Sequence, residues 1–307
     1  MNVITTIIPI FALITLGWVA RKKRFMPPEF VGPANRLVYF LAIPAMIFRS
    51  ISKTNFHAHF NPQVLAGTLL AILAVFVLAW GACLIFRINH VHRGTFIQSS
   101  FHGNLGYIAL AVAYYLLGTE GLVRASIIAA FVMLLQNFLA VVALQINSNG
   151  GNIGSENVSR IVLAMLGNPV IASAMAGILF SVTGIPLPLI IDRCLDIFGS
   201  LALPLALLII GASLSFGLMK LRMSSILWAC GLKLIVLPGV GLVLYRLFVL
   251  SPGDFLPGLI LLASPIATVT FVMAREMKGD ADFAVAAISV STILSAFTFS
   301  AWLTVFG

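Results

Sequence analysis

The chain has 307 residues, 61% of them hydrophobic and only 9% charged, with a formal net charge of +9. Those proportions exclude a water-soluble globular domain, and a mean hydropathy of +1.10 reads as an integral membrane protein. Too little polar chain is left to build a separate soluble enzyme.

Apolar runs of about 20 residues, the length at which a helix crosses the hydrocarbon core, recur ten times along the sequence. The first, at 3–20, has no basic residue before it and Arg21-Lys22-Lys23-Arg24 after it. That is the reverse of a secretory signal, so the span is expected to be retained. The second, 31–51, carries Pro44 in LAIPA, and the third covers 63–86. The fourth, 96–117, is interrupted near its centre by HGNLG (102–106), and the fifth, 122–146, contains Gln136 and Asn137. NSNGGNIGSENVSR (147–160) is the most polar connection and reads as a linker. Beyond it the sixth span covers 161–182, and the seventh, 189–215, carries Pro204 in LALPL. The eighth, 225–249, encloses Lys233, the ninth, 255–275, is interrupted by ASPIAT (263–268), and the tenth, 283–306, holds Ser291, Thr292 and Ser295. Pro44 and Pro204 are expected to act as kinks or hinges. Cys83, Cys194 and Cys230 lack CxxC spacing and read as packing residues. His90 and His92 form an HxH pair with no third ligand, so neither a metal nor any other cofactor is expected.

Basic residues divide unequally between the two sides. Arg21, Lys22, Lys23, Arg24, Arg36, Arg87, Arg93, Arg160, Lys220, Arg222, Arg275 and Lys278 fall on one, against Arg49, Lys53, Arg124, Arg193 and Arg246 on the other. By the positive-inside rule the linker is cytoplasmic and both termini face outward. The net charge therefore points to anionic headgroups at the inner face and not to nucleic acid.

The linker lies near the midpoint, so the chain divides into a first repeat at 1–146 and a second at 161–307. A shift of 160 sets Pro9 on Pro169, Gly17 on Gly177 and Pro44 on Pro204, and a shift of 161 sets Gly103-Asn104 on Ser264-Pro265. Five spans is an odd number, so the second copy must insert upside down. This is the inverted-repeat plan of secondary transporters, with the substrate at the midplane where discontinuous helices meet. The expected fold is all-α, with ten membrane helices in two inverted five-helix repeats and crossed, discontinuous helices four and nine.

Irregular backbone survives in hydrocarbon only where protein or a water-filled cavity satisfies it. Ser264-Pro265 reads as an N-cap followed by a first-turn proline, and Asn104 can cap in the same way. Two half-helix N-termini would then point at one spot, each with about half a positive charge, and favour a carboxylate. Glycine used for close helix packing, with Ser-Pro making only a kink, is the competing reading of each break. The expected substrate-binding residues are Gly103, Asn104, Gly106, Ser264, Pro265 and Thr268. Lys233 reads either as a structural lysine that bonds helix carbonyls or snorkels, or as a cation that holds the anion or couples protonation. His102 could titrate beside the break. The polar groups Gln136, Asn137, Ser291, Thr292 and Ser295 are expected to make interhelical hydrogen bonds, with cavity lining second.

The segments NRLVYFLAIPAMIFRSIS (35–52), GNLGYIAL, LGNPVIASAMAGILFS (166–181), DIFGSLALPLALLIIGASL (196–214), LKLIVLPG (232–239) and SPIA resemble the auxin efflux carrier family in order along nearly the whole chain. The resemblance is to its bacterial branch of malonate and related carboxylate transporters. It implies scaffold and transport domains, each built from both repeats, with the crossed helices at the substrate site and Asn104 as the family's asparagine of the first crossing. Many relatives have a proline in span four where this chain reads GYIALAV, and the long central loop of plant members is missing, which argues against auxin itself.

The expected function is secondary active transport of a small organic anion across a bacterial inner membrane by alternating access. A sodium-coupled carrier of the bile-acid type is the alternative, and a channel or sensor a third. No HExxH, GxSxG or P-loop pattern supports an enzyme. The expected partners are the anion, the lipid headgroups and, in a homodimer, a second copy of the chain.

Overall fold

The computed structural model describes residues 3–54, 56–147, 167–215 and 223–306. The expected linker beyond Asn147, the start of the sixth span, Arg160, Lys220 and Arg222 lie outside the described residues. Among the described residues every regular element is helical: α1 (Val3–Lys22), α2 (Pro28–Leu37), α3 (Ile43–Ser52), α4 (Pro62–Ile85), α5 (His90–Phe101), α6 (Leu110–Ile146), α7 (Pro169–Thr183), α8 (Leu189–Ser200), α9 (Ala202–Ser213), α10 (Met223–Gly231), α11 (Leu237–Leu247), α12 (Pro252–Ala263), α13 (Val269–Glu276) and α14 (Ala281–Phe306), with one further turn at Phe56–His59. Six helical stretches among the described residues are long and apolar enough to cross a membrane: Pro28–Ser52, Pro62–Ile85, Leu105–Ile146, Leu189–Ser213, Met223–Leu247 and Ala281–Val305. Val77, Leu179, Ile190 and Phe297 stand exposed while Thr68, Gln98, Lys233 and Ser264 are buried. That is the reverse of a water-soluble surface, as expected where the solvent is hydrocarbon.

Among the described residues three wide π-helical turns interrupt the helices, at Val38–Ala42, Leu105–Ala109 and Leu232–Val236. Two of them directly precede a helix whose second residue is proline, Pro44 in α3 and Pro238 in α11. A proline ring has no N–H to donate and crowds the carbonyl four residues back. A wide turn absorbs that mismatch and lets the helix continue. Pro204 is handled differently. The helix is interrupted at Leu201, and the Leu205 N–H still reaches the Leu201 carbonyl at 3.2 Å.

The chain forms two compact units, Met1–Asn61 with Leu105–Phe131 and Leu166–Leu214, and Pro62–Asn104 with Val132–Met165 and Ser215–Gly307. In the first, α1 packs along α9 and α3 along α7. Glycine sets the first contact: a Cβ on Gly17 would lie 2.1 Å from the Leu208 carbonyl oxygen. The second contact uses Gly177, where a Cβ would lie 3.0 Å from Ile51 Cβ and 3.3 Å from the Phe48 carbonyl oxygen. Gly177 and Leu208 stand 160 residues beyond Gly17 and Phe48 respectively, so one shift relates the two contacts. The start of α8 is tied to α3 by Asp192, which pairs with Arg49 at 2.7 Å and Lys53 at 3.0 Å.

In the second unit α4 packs against α11 and α5, and α10 and α13 pack against α14. A buried Thr68 Oγ1 lies 2.6 Å from the Tyr245 hydroxyl between α4 and α11.

The fourth and fifth predicted spans meet inside α6, where only Gly118 leaves helical geometry, at φ 71° and ψ −163°. That region is open essentially to glycine alone. Gly118→Ala is expected to lower stability by about 1–3 kcal/mol through backbone strain. No atom lies within 4 Å of the added Cβ, so steric overlap contributes nothing. Thermal unfolding of the purified protein checks this, and an unchanged midpoint refutes it.

Candidate functional site

Both mid-span interruptions are non-helical, and both lie in the second unit. α5 stops at Phe101, and His102, Gly103 and Asn104 follow before the wide turn. α12 stops at Ala263, and Ser264 to Thr268 follow before α13. The two breaks pair with each other. The Asn104 N–H donates to the Pro265 carbonyl at 2.8 Å and the Ala267 N–H to the His102 carbonyl at 3.0 Å, a single antiparallel bridge centred on Gly103 and Ile266.

Side chains from the neighbouring helices satisfy the amides between. Gln136 Oε1 accepts from the Gly103 N–H at 3.2 Å, and Gln136 Nε2 donates to the Phe101 carbonyl at 3.0 Å. Ser291 Oγ accepts from the Ile266 N–H at 3.1 Å. Lys233 Nζ donates to the Leu262 carbonyl at 2.7 Å, in the last turn of α12. The carbonyls at a helix C-terminus carry partial negative charge, so the amine has an acceptor there though, among the described residues, no counter-ion.

Two expectations need correction. Ser264 does not cap a helix N-terminus: its backbone is extended (φ −60°, ψ 147°) and its hydroxyl donates back to the Leu261 carbonyl at 2.7 Å. The chain must stay extended through Ala267 to pair with the first break, so α13 starts later, after Thr268. Nor are the amides of Gly103, Asn104, Ile266 and Ala267 left for a ligand, since each has a protein acceptor. In the second break it is the amides of Thr268 and Val269, at the start of α13, that have no acceptor among the described residues. Thr268 is half-buried and Val269 exposed.

Of the residues singled out in the sequence, the crossing brings together His102, Gly103, Asn104, Ser264, Pro265 and Thr268, with Lys233 bonded one turn earlier. The His102 ring Nδ1 lies 3.5 Å from Gln98 Nε2. Gly106, Pro44 and Pro204 belong to the first unit, Gly106 as the second residue of the wide turn Leu105–Ala109. Gln136 and Ser291 bond across helices, whereas Thr292 and Ser295 bond carbonyls of their own helix at 2.7 Å each.

Gln98 escaped the sequence reading. It is fully buried, and its Nε2 donates to Met273 Sδ at 3.3 Å, joining α5 to α13. Its Oε1 and the buried Thr270 hydroxyl have no partner among the described residues. The available signal was an amide one helical turn before His102 in an apolar run.

Residues 2–303 match the family described as Membrane transport protein. A Rhizobium meliloti protein named "Putative malonate transporter" is 27% identical over 302 residues, covering 95% of this chain and 92% of its own length. An "Uncharacterized transporter" of Methanothermobacter thermautotrophicus is 23% identical over 306 residues, covering 97% and 96%. "Uncharacterized transporter YfdV" of Escherichia coli K12 is 21% identical over 238 residues, covering 76% and 74%. With nearly its whole length matched, the chain belongs to this membrane transport protein family, the auxin efflux carrier family that its motifs resemble, and is a multi-pass membrane transporter and not an enzyme.

Proposed function

We propose that the protein is a secondary active carrier of small organic anions of the malonate type, working by alternating access with its anion site at the crossing of the two broken helices. The observation that carries this reading is the crossing itself: two interrupted helices hydrogen-bonded to each other, with the Thr268 and Val269 amides lacking an acceptor among the described residues at the start of α13. A helix N-terminus with unpaired amides attracts a carboxylate. Asn104, Thr268 and the buried Thr270 hydroxyl supply the side-chain donors within the second unit. In this reading the second unit is the transport domain, the first is the scaffold, and the ten spans form two inverted five-helix repeats. The pair of glycine contacts related by one shift of 160 supports that arrangement. The carrier sits in a bacterial inner membrane with both termini outside, as the charge asymmetry argues.

Asn104→Ala is expected to weaken malonate binding about ten- to hundredfold, the worth of one hydrogen bond to a charged group. The folded protein should remain in the membrane. Labelled malonate uptake into proteoliposomes, with thermal unfolding as the control, measures this, and unchanged uptake kinetics would remove Asn104 from the site. A sodium-coupled carrier is the second reading, favoured by the buried, unpartnered Gln98 Oε1, an acceptor suited to a cation. Uptake indifferent to sodium separates the two.

A further inference from the structure

Lys233 lies in the wide turn Leu232–Val236 and is fully buried. Its Nζ has one hydrogen-bond partner among the described residues, the Leu262 carbonyl, and no ion-pair partner. That carbonyl belongs to the last turn before the second break. It would serve the Ile266 N–H in an unbroken helix, but that amide donates to Ser291 Oγ instead. Lys233 therefore reaches the crossing with a single neutral acceptor and without a carboxylate.

Among the described residues the surroundings supply no counter-charge. The helices packed against the wide turn are α4, α5, α10, α11, α12 and α14. Their charged residues stand in terminal turns: Asp254 and Asp282, and the basic or titratable His90, His92, Arg93 and Arg246. Cys83, Cys230 and Tyr245 are the remaining titratable groups on these helices, the last hydrogen-bonded to Thr68. His102 is the titratable ring within Coulombic reach of Lys233. An ammonium so placed is costly by itself, because low-dielectric surroundings disfavour an uncompensated charge. A bound carboxylate supplies the compensation.

We infer that Lys233 is a proton-coupling residue of the carrier: its buried amine takes up a proton when the anion binds at the crossing and returns it when the anion leaves. The inference rests on the anion-carrier reading above. The step balances simply. The Nζ lone pair forms an N–H bond to a proton from solvent, the anion binds without covalent change, and release on the other side breaks that same N–H bond. Because linkage is reciprocal, a proton that favours the anion is favoured by it to the same extent. Anion and proton then travel together in the second unit, which holds both groups.

The test is malonate binding to the full-length protein in nanodiscs, by calorimetry in two buffers of different ionisation enthalpy, between about pH 7 and 9.5, where both malonate carboxyls stay ionised. Wild type is expected to take up as much as one proton per malonate, with Kd rising toward tenfold per pH unit on the alkaline side. Lys233→Arg carries a permanent charge and is expected to bind with a flat pH profile and no proton uptake. Lys233→Met is expected to lose affinity at every pH. Malonate binding by wild type with a flat profile and no proton uptake overturns the inference and leaves the carrier reading standing. Lys233→Arg with the wild-type slope also overturns it, assigning the proton to another group such as His102. Absence of malonate binding by stably folded wild type overturns both.

Discussion

Gln136→Leu is expected to abolish transport and to lower stability by about 2–6 kcal/mol. The side chain is nearly isosteric, so the loss comes from hydrogen bonding alone. Gln136 serves two backbone groups of the first break, accepting from Gly103 and donating to Phe101. Leucine orphans both where no water replaces the bonds, at about 1–3 kcal/mol each. Ser291→Ala orphans only the Ile266 N–H and should cost about half as much. Thermal unfolding and malonate uptake of the three proteins measure the series. A Gln136→Leu protein as stable as wild type would show that the bridged breaks do not depend on this residue.

Gly17→Ala should be far more damaging than Gly177→Ala, the other member of the pair of contacts in the first unit. The new Cβ meets the Leu208 carbonyl oxygen at 2.1 Å, and its next contacts are also Leu208 backbone atoms. A helix backbone cannot turn aside as a side chain can, so the helices must separate, at about 1–3 kcal/mol or more. Gly177→Ala meets its nearest atoms at 3.0 and 3.3 Å, and a shift of a few tenths of an ångström accommodates it. Unfolding midpoints should therefore fall clearly for the first variant and little for the second; the opposite order refutes the argument.

The apolar, helical character of the chain and the positions of both breaks were legible because the signals are local. An apolar run of about twenty residues fixes a crossing length, and HGNLG and ASPIAT concentrate helix-loosening residues near the centres of two such runs. What the breaks do with their amides was not legible. Ser264-Pro265 has the local form of a helix start, yet pairing of Ala267 with His102, 165 residues away, holds the segment extended and moves the helix start beyond Thr268. The wide turns before Pro44 and Pro238 have no residue signature of their own, since backbone around the proline absorbs the mismatch. Lys233 was visible as a charge in an apolar run, but its Leu262 partner is a carbonyl, which every residue carries. Gln98 was overlooked because a single amide in a helix has no periodic pattern to mark it.

The two glycine contacts of the first unit have a consequence for how the gene can change. Gly17 meets Leu208 and Gly177 meets Phe48, so each half of the chain presents to the other the surface that it receives, as identical subunits do across a twofold axis. Unlike identical subunits, the two halves differ in sequence, so a change at one contact leaves the other as it was. The clearances at positions 17 and 177 already differ, 2.1 Å against 3.0 Å to the nearest atom.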